Sequence, residues 1–273
     1  MLAFFRKCEG FSRYIVTRTQ PRTTDEAQHH DQFYDAEAEQ IFSSRLYRQL
    51  LDLHARFLLE VTPQLATSRI LSVGCGDGRR EIAMAKWAGQ IVGIDLSRVA
   101  VEKARHQARE LGIHNVEFHV NDANCLDIGF RSQFDAVWCA GILHHVSDGQ
   151  IVALLRSSKL ALKPGGRFVS MDPNAHRAVN IFKPLFRRAY TRYHTTGERE
   201  LRPGDVAEKL ESAGFQEIKV RFTDWFISPL SWLFPHLTGP ITPLLVRLDQ
   251  LLVKLPVVNE LSSGFAAIAQ NQE

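Results

Sequence analysis

The sequence predicts an α/β fold, a mostly parallel sheet with helices on both faces, and three observations carry that expectation. After Pro63, short apolar runs rich in β-branched residues alternate with stretches of helical periodicity. Parallel neighbours joined through helices need right-handed crossovers, which leave helices on each face of the sheet. One strand also runs into alternating glycines and then a helix, a turn that the carboxyl edge of such a sheet requires.

The elements follow in order. Ile41, Leu46, Leu50, Leu53, Phe57 and Leu58 recur at helical spacing and predict a helix over 36–60. Strands are expected over 70–73, 91–94, 116–120, 134–139, 167–171 and 215–222. Between them the pattern predicts helices over 79–87, from Ser97 as a cap to about residue 111, over 148–162, and over 206–213. Residues 163–166 read as a turn. A further helix is expected over about 244–255, and the apolar run 264–269 is read as a possible edge strand.

With 273 residues, 45% hydrophobic, the chain is long enough to bury a substantial core, and its glycine and proline content excludes collagen-like and wholly disordered readings. A net charge of +3 is too small to argue for nucleic acid, so none is expected as a partner. Cys8, Cys75, Cys125 and Cys139 are far apart without zinc spacing, so a disulfide scaffold is set aside and a reducing, cytoplasmic setting is expected. Residues 1–24 are basic, with Arg6, Lys7, Arg13, Arg18 and Arg22, and read as an amphipathic extension rather than a transit peptide. The stretch 225–246 has no formal charge, but Pro229, Pro235, Gly239, Pro240 and Pro243 make a membrane-spanning helix untenable.

The most informative stretch is Ile70-Leu-Ser-Val-Gly74-Cys75-Gly76-Asp-Gly78. Its glycines let a ligand approach the backbone, and the helix behind supplies free N–H groups. A dinucleotide fingerprint would place its third glycine where Arg79 stands. Asp95, closing the second strand, suits the two hydroxyls of a ribose, or else serves as an ordinary acid at a helix start beside Ser97. Asp122 and Ala123, past the third strand, suit the amino group and a ring nitrogen of adenine, with a plain loop Asp as the alternative.

The series ILSVGCGDG, VGIDLS, VNDA, FDAVWCAGILHHV and LKPGGRF resembles the class I S-adenosylmethionine-dependent methyltransferases, above all the small-molecule branch that methylates quinones and sterols. The resemblance is strong over about residues 66–172. It implies a doubly wound, Rossmann-like, seven-stranded sheet with an antiparallel last strand. It implies a cap over 1–65 and a domain over 66–269, with acceptor-binding or lid insertions at about 174–204 and 223–260. By the same resemblance the cofactor is S-adenosylmethionine, leaving as S-adenosylhomocysteine. Gly74, Cys75 and Gly76 would face its methionine part, Asp95 its ribose, Leu96, Asp122 and Ala123 its adenine, and Cys139 or Ala140 its methionine end. Tyr34 resembles the lid residue that closes over the cofactor. Ser72 stands where many members carry an acid.

A sulfonium methyl is a good electrophile, so the protein's main tasks are alignment and exclusion of water. A hydroxyl or carbon acceptor also calls for a general base, and the candidates are His144 and His145 just past the fourth strand; each is equally readable as a structural histidine. His29 and His30 lack a spaced carboxylate, and no metal is expected. Arg177, Lys183, Arg187, Arg188, Arg192, Arg199 and Arg202 would hold an acidic group on the acceptor, face an anionic membrane surface, or form a solvated face. Trp225, Phe226, Trp232, Leu233 and Phe234 would roof an apolar acceptor, form core, or make a dimer surface. The expected partner is thus a small, partly apolar acceptor, methylated on oxygen or carbon. The competing readings are a nicotinamide-dependent oxidoreductase and a non-catalytic module that binds S-adenosylmethionine.

Overall fold

The computed structural model describes residues 31, 34, 43–62, 64–126, 128–182, 184, 198–234 and 241–272. Helix α1, Arg45–Val61, opens on Ser44, whose hydroxyl accepts from the Tyr47 N–H at 3.1 Å. The helix expected over 36–60 is thus corrected at Ser43 and Ser44, where the chain turns and the extended Ser44 caps the start, while residues 36–42 lie outside the described residues. The buried face of α1, including Leu46, Leu50, Leu58 and Val61, follows the apolar spacing of its sequence.

The strands are β1 (Arg69–Val73), β2 (Gln90–Asp95), β3 (Val116–Val120), β4 (Phe134–Ala140), β5 (Leu162–Pro173), β6 (Gln216–Phe222) and β7 (Gly264–Gln270). They form one seven-stranded sheet in the order β3-β2-β1-β4-β5-β7-β6, parallel from β3 to β5, with β7 antiparallel to both its neighbours. The intervening helices are α2 (Arg79–Met84), α3 (Arg98–Glu110), α4 (Asp148–Ala161) and α5 (Pro203–Ser212). Successive strand residues point to opposite faces, so two apolar cores form. Ile70, Trp138, Val169 and Ile268 join one with α1, α2 and α3, while Leu71, Val137, Phe168 and Ala267 join the other with α4 and α5.

Two expectations are corrected. The run 264–269 is no edge strand: it lies between β5 and β6, buried on both faces, and β6, with its alternating exposed residues, forms the edge. The stretch 163–166 is taken into β5, where Leu162 pairs with Phe134 and the register shifts before Arg167 pairs with Ala136. Smaller shifts occur at helix ends: α2 stops at Met84, and the helix expected from 244 begins at Ile241.

The uncharged segment folds as two short helices, α6 (Ile227–Leu233) and α7 (Ile241–Leu252), separated by residues outside the description. Ile227 packs with Leu46 and Leu50, so α6 lies on α1 and roofs the carboxyl edge of the sheet. No helix among the described residues is long and apolar enough to cross a membrane.

Candidate functional site

The strand order reverses between β1 and β4, and a doubly wound sheet opens a crevice there at its carboxyl edge. A cavity of about 400 Å³ occupies that crevice. Its floor is the glycine loop after β1. Gly74 and Cys75 donate their N–H groups to the Ile94 carbonyl at 2.8 and 3.0 Å, which ties the loop to the end of β2. Gly74 and Gly76 have φ of +66° and +54°, a region that side chains disfavour. A Cβ on Gly76 would fall 2.0 Å from the Tyr34 hydroxyl, so the Tyr34 ring lies directly on the loop. Burial pushes the Tyr34 hydroxyl well above its ordinary pKa, and the Asp95 and Asp77 carboxylates push it the same way.

Asp95 accepts from the Gly76 N–H through Oδ2 and from the Ser97 N–H through Oδ1, each at 2.8 Å. It stands at the helix start beside Ser97, and it also lines the cavity. Carboxylate oxygens have lone pairs beyond those two bonds, so the backbone contacts orient Asp95 and leave it able to accept from a ligand. Asp122 Oδ1 accepts from the Asn124 N–H at 2.8 Å and its side-chain amide at 2.9 Å, which turns the chain so that Asp122, Ala123 and Leu96 line the same end of the cavity.

Of the paired candidates after β4, Ala140 lines the cavity, whereas Cys139 is fully buried in the opposite core, where burial pushes its thiol pKa up. The alternation along β4 decides between them: neighbouring residues face opposite sides of the sheet. Gly76 shapes the loop from beneath Tyr34, and the cavity wall is formed by Gly74 and Cys75.

At the other end, the 3-10 turn Leu143–His145 presents both histidines to the cavity. His144 Nδ1 lies 3.0 Å from Asp172 Oδ1, and the same oxygen accepts from the His144 backbone N–H at 3.3 Å. His145 Nδ1 lies 3.4 Å from Glu198 Oε1. The rings are stacked obliquely, with centroids 4.1 Å apart. The hydrogen bond to Asp172 fixes the plane of the His144 ring, whereas Glu198 lies beside His145 at ion-pair distance.

The basic stretch proves more committed than its composition suggests. Arg199 grips Asp148 through two nitrogens at 2.9 and 2.8 Å, and holds the Asp148 carboxyl well below the usual carboxylate range. Arg177 pairs with Glu200 and lines the cavity. Lys183, Arg187, Arg188 and Arg192 lie outside the described residues, as do His29 and His30. Trp232 and Leu233 reach the cavity from α6, whereas Trp225, Phe226 and Phe234 are not among its lining residues.

Sequence reasoning missed Asp172, Glu198, Arg80 and His54, all of which line the cavity. Asp172 had a signal, an acid closing the fifth strand at the carboxyl edge. Glu198 had none, since only folding brings it to His145. His54, on α1, is held neutral: burial lowers its pKa to about 3, with Arg80 adding to the effect.

Residues 70–166 match the model of a family described as a methyltransferase domain. Over 157 residues the chain is 31% identical to the ubiquinone biosynthesis O-methyltransferase of Xanthomonas euvesicatoria pv. vesicatoria, a match covering 56% of this chain and 64% of that one. It is 25% identical over 200 residues to the enzyme of the same name from Acinetobacter baylyi, covering 70% of this chain and 82% of that one. Among solved structures, the [4+2]-cyclase SpnF superposes with a TM-score of 0.60 at 25% identity, covering 82% of each chain. The glycine loop, the acid of β2 and the histidine turn all fall within the residues that match the methyltransferase domain, and the chain is similar to class I S-adenosylmethionine-dependent methyltransferases, quinone-methylating ones among them.

Proposed function

We propose that this protein transfers a methyl group from S-adenosylmethionine to a hydroxyl oxygen of a small, partly apolar acceptor. The observation that carries the reading is one cavity lined by a glycine loop and Asp95 and also by His144, which Asp172 orients, and His145, which Glu198 faces. The side-chain-free face of the loop and the acceptor lone pairs of Asp95 and Asp122 fit the cofactor's amino-acid, ribose and adenine parts respectively. When bound, the cofactor supplies an activated methyl on a sulfonium. The chain's own residues do the rest: Tyr34 covers the loop, and α6 with Trp232 and Leu233 excludes water above the acceptor. The acceptor's hydroxyl proton is managed at His144 and His145. We read residues 66–269 as the catalytic domain, with the 174–204 and 223–260 segments shaping the acceptor end. The names of the quinone-pathway relatives support a phenolic hydroxyl on a ring with an apolar substituent.

Calorimetric titration with S-adenosylhomocysteine tests the cofactor, and transfer of labelled methyl to catechols and phenols tests the reaction. Micromolar binding with transfer is the expected result; a folded chain that binds no S-adenosylhomocysteine overturns the reading. The likeness to a [4+2]-cyclase supports a second reading, a cofactor-binding chain that methylates nothing. Binding without transfer to any acceptor of these classes would favour it.

A further inference from the structure

We propose that the outer face of α7 is a docking surface for an anionic lipid bilayer, on which the helix lies in the plane of the headgroups. This surface is independent of the chemistry in the cavity. Its starting point is a helix whose polarity is inverted. Ile241, Leu244, Leu248 and Leu251 recur at spacings of three, four and three, which puts them on one helical face. All four are exposed, Leu244 by 55% and Leu251 by 60%. The fully buried residues of α7 are instead Thr242 and Asp249, both polar. A helix that meets only water on its outer side turns its apolar stripe to the core.

The neighbours of α7 hold it in that orientation. Asp249 accepts from the Trp225, Phe226 and Ile227 N–H groups at 3.2, 2.8 and 3.1 Å. Leu245 and Val246 pack beside Leu46 and Leu50 of α1. The leucine stripe is therefore fixed outward by bonds on the opposite side. The chain goes on exposing apolar side chains past the helix end, at Leu255, Leu261 and Val257, the last by 74%. An apolar stripe of this length on an otherwise ordinary surface marks an interaction site.

Charge decides what covers it. Arg247 stands three residues from Leu244 and four from Leu251, at the border of the stripe, and Lys254 follows beyond the helix end; both are exposed. Among the described residues neither forms an ion pair. Asp249 is buried, and Glu260 is the one exposed acid in the stretch 241–261, at its far end, where its carbonyl is tied to the Asn174 side chain. A second copy packed on the stripe would bring the cations of both copies to the rim with no acid of α7 to meet them. An anionic headgroup layer pairs with the same two cations while the leucines enter the acyl boundary. No helix among the described residues is long and apolar enough to cross a membrane, which leaves lying on it as the mode of contact. Because α7 is fastened to α6, whose Trp232 and Leu233 line the cavity, docking brings the cavity roof close to the lipid.

The experiment mixes the purified full chain with sedimentable vesicles and reads the bound fraction. The vesicles are pure phosphatidylcholine, or phosphatidylcholine with one lipid in three replaced by phosphatidylglycerol. Expected is binding to the anionic vesicles that weakens as salt rises, and little binding to the neutral ones. Leu244→Ser combined with Leu251→Ser should lower the partition coefficient by about tenfold or more. Arg247→Gln combined with Lys254→Gln should lower it on the order of tenfold on anionic vesicles. Leu160→Ser, at a 58% exposed leucine of α4, should leave it unchanged. Melting temperatures equal to wild type show that lost binding is a lost surface; if the leucine pair melts lower, the cation pair carries the test. Equal binding to both kinds of vesicle, or binding that both paired variants retain, overturns the proposal. Sedimentation velocity sorts the other occupants. A dimer that the leucine pair converts to monomer assigns the face to a second copy and overturns the proposal; a monomer that binds no anionic vesicles leaves the face to a partner protein and overturns it as well.

Discussion

Ser72, near the end of β1, donates its hydroxyl proton to Glu81 Oε1 at 2.6 Å, and both side chains are fully buried. By resemblance Ser72 stands where many members of the family carry an acid. Here the carboxylate arrives instead from the first turn of α2, across the glycine loop. Burial raises the pKa of Glu81, opposed by Arg80 and by the Ser72 hydroxyl itself. Removing the donor with Ser72→Ala leaves a buried carboxyl oxygen unpaired, and should cost about 1–3 kcal/mol of stability. Urea unfolding checks this, and a variant as stable as the wild type would show that the pair does not brace the loop.

Asp95 carries the cofactor reading at the other side of that loop. Asp95→Ala removes the acceptor of the Gly76 and Ser97 N–H groups together with the proposed ribose contacts. The affinity for S-adenosylhomocysteine should fall by about 2–3 kcal/mol, as for hydrogen bonds to a charged group. Asp95→Asn, which keeps one acceptor oxygen, should lose less. Calorimetry giving unchanged affinity for both variants would refute the ribose placement.

The histidine turn should separate chemistry from binding. On the proposed function, His144→Ala is expected to lower turnover on the order of 100-fold while S-adenosylhomocysteine affinity changes by about threefold or less, because the residue lines the cavity on a different loop from Asp95. Asp172→Asn should lower turnover in the same direction by releasing the ring from its fixed plane. Undiminished turnover in both variants would leave the pair with a purely structural role.

Acidity should tune the roof of the cavity. Asp249 on α7 accepts from the Phe226 N–H at 2.8 Å and the Ile227 N–H at 3.1 Å, which fastens α7 to the start of α6. Burial, reinforced by the Asp224 carboxylate, pushes its pKa up to about 7. Asp224 is also raised by burial, with Arg177 and its own hydrogen bonds opposing. A raised carboxyl pKa favours the protonated form in the folded chain, so this contribution to stability is full below the ordinary value of 3.8 and is lost as pH rises to about 7. Between about pH 4 and pH 8 the wild type should lose on the order of 2–4 kcal/mol relative to Asp249→Asn. Parallel pH profiles from chemical unfolding would show that Asp249 is ionised throughout.

Gly76 tests the lid. Gly76→Ala puts a Cβ 2.0 Å from the Tyr34 hydroxyl at a φ of +54°, so the ring must leave the loop. Weaker S-adenosylhomocysteine binding is expected in calorimetry, and Tyr34→Ala should weaken it as well. Tight binding by both variants would remove Tyr34 from the cofactor site.

The strands and the glycine loop were legible in the sequence because each depends on local chemistry. Alternating apolar runs write strands, Ser97 writes a helix start, and glycines with positive φ write the loop. The placement of Asp95 and Asp122 on the cavity was legible for the same reason, since both sit at strand ends that follow directly from the alternation. Cys139 and Ala140 were left as a pair because a one-residue uncertainty in strand phase exchanges the two faces of a sheet.

What the sequence determined, then, is the α/β order, the crevice end built from the loop and β2, and the likeness to a methyltransferase domain over residues 70–166. Tertiary structure alone decided that β7 enters the sheet beside β5, that Glu81 meets Ser72, and that Asp172 and Glu198 face the histidines. The physical reason is separation along the chain. Propensity and periodicity act over a few residues, whereas these pairings arise when the sheet closes and its buried polar groups find partners across it. The surroundings of the two histidines are assembled from such long-range meetings, so their chemistry emerges only once the chain is folded.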